Sequence, residues 1–271
     1  MLDVERLQKT YGDPGGGGVE AIRDVSFAVA EEEFVCIVGP SGAGKTTLLR
    51  CICGLLSRSG GEIRLDGAVV DEPPRKMAAV FQDYSRSLLP WYTVAQNVAL
   101  PLKKRIDRKT EREARVAAAL QSVGLDGFGL RHPWELSGGM QQRVAIARAI
   151  AYEPEILIMD EPFASVDAQT RADLEDLILR VRKDTGTSVL LVTHDIDEAV
   201  YLSDRVVVLS ARPTYVIDVV ENDLPRPRDQ IQTKLLPQFA EHRAHVLDLI
   251  RRTSAGENLA AFQADVASLS G

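Results

Sequence analysis

Short, unbroken runs of apolar residues alternate along this chain with longer segments in which apolar residues recur every three or four positions. The unbroken runs are typical of parallel strands buried on both faces of a sheet, and the recurring pattern is typical of amphipathic helices. The runs that predict buried strands cover residues 34–38, 156–159, 189–192 and 206–209. The pattern therefore predicts an α/β fold, with a mostly parallel sheet wrapped by helices.

Two regions depart from this alternation. Residues 1 to about 32 carry short β-like runs separated by turns, which predicts an N-terminal antiparallel β subdomain. Residues from about 84 to 150 are rich in Ala, Glu and Arg, and the segment 111–123 within them has helical spacing. We therefore expect an α-helical subdomain inserted in a domain that covers residues 1–230.

The chain returns to a helical pattern near its C-terminus. Phe239, Val246 and Ile250 mark the apolar face of a first amphipathic stretch. A second stretch is marked by Leu259, Phe262, Val266 and Leu269. Because this segment is short for a regulatory domain, we expect residues 231–271 to form a helical extension that packs on the chain's own surface, with a partner contact as the alternative.

Composition narrows the class of protein. The chain has 271 residues, of which 45% are hydrophobic and 26% charged, as is ordinary for a soluble globular protein. The formal charge of -7 and the lack of a long basic block argue against general nucleic-acid binding. No run approaches the roughly 18 apolar residues of a membrane-spanning helix, and the first residues do not read as a secretory signal, so we expect a cytoplasmic protein.

Residues 39–46 carry the strongest chemical signal. They fit the pattern G-x-x-x-x-G-K-[ST] between a predicted strand and a predicted helix, a context that argues against a chance glycine-rich loop. Glycines let backbone N–H groups turn inward, and the helix dipole adds positive potential where phosphates bind. We expect Lys45 to neutralise the β- and γ-phosphates and the Thr46 hydroxyl to ligate Mg²⁺. The predicted phosphate-binding residues are Gly39, Pro40, Ser41, Gly42, Ala43, Gly44, Lys45, Thr46 and Thr47.

A pair of carboxylates follows the predicted strand 156–159. Asp160 and Glu161 would lie at the carboxyl end of that strand, which is where ligands bind in a parallel sheet. We expect Asp160 to hold Mg²⁺ through water and Glu161 to orient and deprotonate the attacking water. The alternative, a solvated sheet edge, is disfavoured by the phosphate loop in the same chain.

A second glycine-rich helix start lies at residues 137–139. Ser137 fits a helix N-cap, and Gly138 and Gly139 let the backbone approach an anion closely. If the two helix starts lie on separate lobes, one nucleotide cannot easily use both within a single subunit. We therefore expect a head-to-tail pair, in which the Ser137 segment of one subunit closes over the nucleotide on the Lys45 loop of another.

In this order the motifs make residues 1 to 210 resemble the ATP-binding subunit of an ATP-binding cassette transporter. The resemblance implies a RecA-like P-loop NTPase core, ATP and Mg²⁺ as cofactors, and ATP hydrolysis coupled to transport. It implies a second ATPase subunit and membrane permease subunits as partners, a solute-binding protein as an indirect partner, and no nucleic acid. Such a subunit works as a peripheral protein at the cytoplasmic face of the inner membrane.

The resemblance also assigns roles to single residues. It implies that Tyr11 stacks on adenine, that Gln82 senses Mg²⁺ and the attacking water, and that Asp167 lies in a loop that crosses between subunits. It further implies that His194 contacts the γ-phosphate, where a buried core histidine would be the usual alternative. Two departures, Met140 for Gln and Ser165-Val166 for Ala-Leu, remove no phosphate contact.

Within the family, residues 81–91 and 224–228 are similar to importer subunits for nitrate, sulfonates, taurine and related small anions. The alternatives are a non-importer ATPase, acting on lipoproteins, in export or on chromosomes, and a scaffolding nucleotide-binding protein. The sequence has neither the coiled-coil insertion nor the basic surface of a chromosome-organising ATPase. A scaffold should have lost Glu161 or His194, and both are present.

The segment 88–92 is apolar and aromatic and begins six residues after Gln82. Such a cluster in an otherwise polar loop is a candidate interface, and we expect a short cytoplasmic helix of a permease to dock beside it. The alternative is that Trp91 fills the core of the helical lobe.

Overall fold

The computed structural model describes residues 1–12, 17–82, 87–164 and 166–254. Ser165, residues 83–86 and the second amphipathic stretch at 259–269 lie outside the described residues. The described strands are β1 (Leu2–Tyr11), β2 (Val19–Val29), β3 (Phe34–Val38), β4 (Gly60–Leu65), β5 (Ala68–Val69), β6 (Met77–Val80), β7 (Ile156–Asp160), β8 (Ser188–Val192), β9 (Arg205–Leu209) and β10 (Thr214–Glu221). The described α-helices are α1 (Lys45–Ile52), α2 (Val94–Ala99), α3 (Lys109–Ser122), α4 (Gly138–Ala151), α5 (Ala168–Thr185), α6 (Ile196–Leu202) and α7 (Pro237–Ser254).

The chain divides into two compact units, one formed by residues 1–74 with the chain from residue 191 onward, the other by residues 75–190. In the first unit the strand order is β5-β4-β1-β2-β10-β9-β3. β1 pairs antiparallel with both β2 and β4, whereas β3 pairs parallel with β9. This unit therefore contains the predicted antiparallel N-terminal strands.

The two N-terminal strands are longer than the short runs that the sequence predicted. β1 has 10 residues and β2 has 11, and each buries roughly every second residue because only one face is covered. Register shifts interrupt their pairing between Val4 and Leu7 and again between Leu7 and Lys9. The prediction of strand length was wrong because such irregularities break the alternation of buried and exposed residues.

The unbroken apolar runs are buried on both faces, as predicted. All five residues of β3 are buried, and so are all five residues of β7 and of β8. In the second unit β6 and β7 are parallel, with Met77 opposite Ile156 and Val80 opposite Met159. The carboxyl ends of β6 and β7 therefore lie side by side.

The helices α2, α3 and α4 pack on one another within the second unit. The side chain of Asn97 in α2 is fully buried, and it donates to the carbonyls of Leu89, Tyr92 and Thr93 and accepts from the Leu89 amide. A single buried amide thus ties the loop before α2 to the helical segment. The predicted mixed α/β fold, with antiparallel N-terminal strands, a parallel core and a helical segment, is confirmed, while the predicted domain boundaries stay predictions.

Candidate functional site

The predicted phosphate loop forms a tight turn between β3 and α1 in the first unit. Gly42 and Gly44 have φ values of 76° and 82°, in the left-handed region that favours glycine. A Cβ at Gly39 would lie 2.9 Å from the carbonyl oxygen of Leu209, so only glycine fits there without a shift. The local sequence thus folds as a loop whose backbone can curl around an anion.

Lys45 lies inside this turn. Its ammonium donates hydrogen bonds to the carbonyls of Gly39 over 2.8 Å and Pro40 over 3.0 Å, and the residue is only 7% exposed. These contacts hold the positive charge at the mouth of the loop, where the sequence predicted a phosphate.

A buried hydroxyl that sequence reasoning missed supports the same loop. Thr214, the first residue of β10, is fully buried and its hydroxyl donates to the carbonyl of Ala43. Because the two residues are 171 positions apart, no local pattern in the sequence signals the contact. Thr214 therefore stabilises the phosphate loop although it is not part of any sequence motif.

Tyr11 lies beside the start of α1. Its hydroxyl is 3.1 Å from Oγ1 of Thr47, and the Nζ of Lys9 lies 5.2 Å from the centroid of its ring. The residue remains 41% exposed, so the ring is accessible beside the phosphate loop. The structure thus brings the predicted adenine-stacking residue to the predicted phosphate site.

His194 follows β8 and is exposed, so the alternative of a buried core histidine is wrong. The residue before it is firmly held: the Thr193 amide donates to the Ile37 carbonyl over 3.1 Å, and the Thr193 hydroxyl donates to Glu198 over 2.7 Å. The side chain of Asp195 caps α6 by accepting from the Glu198 amide. His194 is therefore an exposed imidazole on a rigid strand-to-helix turn.

The second unit contains the predicted carboxylate pair. Asp160 ends β7 and is 3% exposed, whereas Glu161 is half-buried and has a φ of 45°. The side chain of Gln82 donates from Nε2 to Oε2 of Glu161 over 3.1 Å. Left-handed backbone at a non-glycine residue costs energy and clusters at functional sites. Strand pairing therefore brings Gln82 to Glu161, which the sequence had not predicted.

Ser137 is the N-cap of α4, as predicted. Its hydroxyl accepts from the amide of Met140 over 3.3 Å. A Cβ at Gly139 would clash with the methyl group of Thr170, which explains the need for glycine at this helix start. The predicted glycine-rich helix start at residues 137–139 therefore packs directly on the start of α5.

Asp167 is the N-cap of α5. It also contacts Thr170, the residue against which Gly139 packs. Its carboxylate accepts from the Thr170 amide over 3.0 Å and from the Thr170 hydroxyl over 2.7 Å. These bonds, led by the one from the backbone amide, lower the pKa of Asp167. Gly139 and Asp167 thus both contact Thr170.

A profile of one protein family matches residues 22–164, and its description is ABC transporter. The match covers the phosphate loop, the Ser137 helix start and the carboxylate pair in the order found here. The chain belongs to the ABC transporter family. It is an ATP-binding subunit, an ABC transporter ATPase.

Relatives of this ATPase extend the match beyond the family profile. An uncharacterized ABC transporter ATP-binding protein of Methanocaldococcus jannaschii is 46% identical over 92% of this chain and 91% of its own length. A taurine import ATP-binding protein of Rhizobium johnstonii is 42% identical over 93% and 97% of the two chains. A nitrate import ATP-binding protein of Synechococcus elongatus is 41% identical over 93% of this chain and 38% of its own length.

Two solved structures resemble this ATPase at a TM-score above 0.7. A dimeric ATP-binding cassette in a post-hydrolysis state, bound to ADP and Pi, has a TM-score of 0.72 and 32% identity, over 82% of this chain and 98% of that one. The protein cbiO1 of Clostridium perfringens, part of the ABC transporter complex cbiONQ, has a TM-score of 0.74 and 29% identity, over 82% and 88%.

The exposure of Trp91 bears on the predicted permease contact at residues 88–92. Trp91 is 67% exposed, so the alternative that it fills a core is wrong, whereas Leu88 beside it is buried. Within the described ranges no group of three or more His, Cys, Asp or Glu residues could hold a metal, and no helix there is long and apolar enough to cross a membrane.

Proposed function

We propose that this ATPase powers an importer for a small organic or inorganic anion such as nitrate, a sulfonate or taurine. The observation that carries the proposal is similarity to nitrate and taurine import ATP-binding proteins over 93% of the chain. An ATPase subunit of this kind would not touch the solute, so none of its own residues specifies the anion.

The loop at residues 39–47 binds the triphosphate in this proposal. Its inward N–H groups and the N-terminus of α1 attract phosphate oxygens, and Lys45 adds a full positive charge. Phosphate oxygens would replace the carbonyls of Gly39 and Pro40 as partners of the ammonium, because a charged acceptor makes the stronger bond. Tyr11, exposed beside Thr47, would stack on the adenine.

The side chains proposed for Mg²⁺ are chemically suited to it. Thr46, Gln82 and Asp160 offer a hydroxyl, an amide oxygen and a carboxylate, and Mg²⁺ prefers such hard oxygen ligands with several waters. Gln82 donates to Glu161 through Nε2, so Oε1 is the atom that can face a cation. Bound Mg²⁺ would neutralise charge on the β- and γ-phosphates.

Glu161 is the proposed general base. It would accept a proton from the water that attacks the γ-phosphorus, while the bond from that phosphorus to the β-γ bridging oxygen breaks and ADP leaves. The hydrogen bond from Gln82 to Oε2 holds the carboxylate of Glu161 in place for this proton transfer. His194, exposed after β8, would donate to the γ-phosphate.

The active unit is proposed to contain two ATPase subunits arranged head to tail. Ser137, Gly138 and Gly139 of one subunit would close over the nucleotide on the Lys45 loop of the other, and Asp167 would lie at the crossing. The dimeric cassette with ADP and Pi, which this chain resembles, supports this arrangement. Gly139 contacts Thr170, and Asp167 also binds Thr170. The helix start at Ser137 and the segment at Asp167 would therefore move together.

Membrane permease subunits are the proposed partners in transport, with a solute-binding protein as an indirect one. In the second unit a cavity of about 370 Å³ lies between β6, the turn at Leu100–Lys104 and α4. Arg148 lines this cavity and donates to the carbonyl and hydroxyl of Ser87, just before the segment 88–92 that contains the exposed Trp91. Burial lowers the pKa of Arg148. A short permease helix docked beside this segment would therefore be linked mechanically to α4 and Ser137.

The domain organisation is part of the same proposal. Residues 1–230 would form the ATPase domain with the helical subdomain at about 84–150, and residues 231–271 the C-terminal extension. The subunit would work at the cytoplasmic face of the inner membrane as a peripheral protein.

Uptake by a reconstituted transporter tests the proposed function. The chain would be purified with the permease that it binds and inserted in liposomes, with the solute-binding protein added on the side opposite the ATPase. Uptake of labelled nitrate, taurine and an alkanesulfonate would be measured with ATP inside and outside. We expect uptake of one of these anions when ATP is on the side of the ATPase, and none with Lys45→Ala. Export, or ATPase activity stimulated only by lipid or DNA, would favour a non-importer instead.

A further inference from the structure

Trp134 is an exposed aromatic residue in the second unit. It is 65% exposed and lies in the 3₁₀ turn Pro133–Glu135, three residues before Ser137. The imidazole of His132 stacks on its ring, with centroids 4.4 Å apart and an angle of 14° between the planes. One face of the indole is therefore covered by a second ring, and the opposite face is open to solvent.

Hydrogen bonds hold this stacked pair in place. The His132 amide donates to Oε2 of Glu135 over 2.6 Å, and Nη1 of Arg131 donates to Oε1 over 2.9 Å. The side chain of Gln141, in the first turn of α4, donates to the carbonyls of Pro133 over 3.0 Å and Leu136 over 3.3 Å. The turn is thus tied to the helix that Ser137 caps, so little ordering is needed when a flat ligand stacks on Trp134.

We propose that the open face of Trp134 stacks on the base of a nucleotide held by the Lys45 loop of a second copy of this chain, an inference that rests on the head-to-tail pair proposed above. Three residues of chain span at most about 11 Å, so Trp134 stays near Ser137 when Ser137 meets the γ-phosphate. Bases stack readily on indole faces. Tyr11 would cover one face of the base, and Trp134 of the partner would cover the rest.

Two exposed apolar residues that precede Trp134, Phe128 and Leu130, allow stacking on a base to be distinguished from docking of another protein. Leu130 is 87% exposed and Phe128 is 38% exposed. An apolar surface of another protein would bury these side chains together with Trp134, so replacing any one of the three by alanine would weaken that contact. A single base would use Trp134 alone. Leu130→Ala is therefore the matched control for Trp134→Ala.

Steady-state kinetics give the first test. We expect Trp134→Ala to raise KM for ATP by about 5- to 150-fold, the range that one base–aromatic stack contributes, with kcat unchanged. Trp134→Phe should restore most of the affinity, and Leu130→Ala should change nothing. Inhibition by inorganic tripolyphosphate, which has no base, should be as strong in Trp134→Ala as in the parent. The proposal would be overturned if Trp134→Ala weakened the binding of ATP and of tripolyphosphate equally, or if Leu130→Ala raised KM for ATP as much as Trp134→Ala does.

Fluorescence gives the second test, because the chain has two tryptophans. Trp91→Phe leaves Trp134 as the sole tryptophan, and Trp134→Phe leaves Trp91, which is similarly exposed at 67%. Excitation at the red edge of the absorption band, where tyrosine does not absorb, selects the tryptophan. Both variants would also carry Glu161→Gln. ATP, but not tripolyphosphate, should quench the fluorescence of Trp134, and neither compound should quench the fluorescence of Trp91. Sedimentation of the same samples reports pairing. Absence of pairing with ATP would refute the head-to-tail arrangement, whereas pairing without quenching would refute the stacking alone.

Discussion

The side-chain amide of Gln82 donates a hydrogen bond to the carboxylate of Glu161 over 3.1 Å, although 79 positions separate them. The contact follows from strand order: Gln82 comes just after β6 and Glu161 just after β7, and these strands are parallel neighbours. Carboxyl ends of neighbouring parallel strands meet at one edge of the sheet, which brings the proposed Mg²⁺ sensor to the proposed base.

Gln82→Glu places a second carboxylate against Glu161. The hydrogen bond that Nε2 donates is lost, and repulsion between the two carboxylates displaces the side chain of Glu161 from the position that Gln82 holds. We expect kcat for ATP hydrolysis to fall, and to fall further than in Gln82→Ala, which removes the amide without adding a charge. Steady-state hydrolysis by the two purified variants measures the difference. A Gln82→Glu variant that is no slower than Gln82→Ala would contradict the proposed role of the contact.

Glu161→Gln removes the proposed base but keeps the shape of the side chain. Hydrolysis should slow by about 10²–10⁴-fold, the usual contribution of a general base, while ATP binding stays intact. Single-turnover hydrolysis and equilibrium binding of labelled ATP measure the two effects. Near-normal turnover in the purified variant would show that another group takes the proton.

Mixed subunits test whether Ser137 acts across a subunit interface. Ser137→Arg and Lys45→Ala should each be inactive alone, the first through the proposed contact with the partner's nucleotide and the second through lost nucleotide binding. Mixed together they should recover part of the ATPase activity, because one composite site then keeps both intact motifs. Mixtures that form heterodimers but stay inactive would mean that the contact is not made across the interface, or that both sites must hydrolyse together.

Thr214→Val tests the buried support of the phosphate loop. Valine has nearly the same shape but leaves the Ala43 carbonyl without the threonine hydroxyl, so the free energy of unfolding should fall by about 1–3 kcal/mol. Denaturant unfolding measures the change, and ATP binding should weaken with it. Thr214→Ser keeps the hydroxyl and is the control; if it is as damaging as valine, packing rather than the hydrogen bond supports the loop.

Replacing Leu89 and Trp91 by serine tests the proposed permease contact. The backbone of Leu89 is held by Asn97 and Leu88 fills the interior, so the isolated subunit should keep its fold and its basal ATPase activity. ATP-driven uptake by the reconstituted transporter should be lost. Uptake at the parental rate would move the docking site elsewhere on the chain.

Most of the candidate site positions could be chosen from the sequence because the patterns that mark them are local. The Gly-rich turn before Lys45, the N-cap at Ser137 and the carboxylates at the end of β7 depend on residues a few positions apart, and the structure has the turn, the N-cap and the strand end where they were predicted. Unbroken apolar runs identified the strands that are buried on both faces. Pattern was less informative for β1 and β2, where register shifts interrupt the alternation.

Tertiary structure alone decided which distant residues meet. The hydroxyl of Thr214 under Ala43 and the amide of Gln82 on Glu161 depend on which strands become neighbours, and apolar periodicity does not encode strand order. The exposure of Trp134 was equally beyond sequence reasoning. Whether a large aromatic residue is buried depends on how many other elements pack against it, and that is a property of the whole fold rather than of its neighbours in the chain.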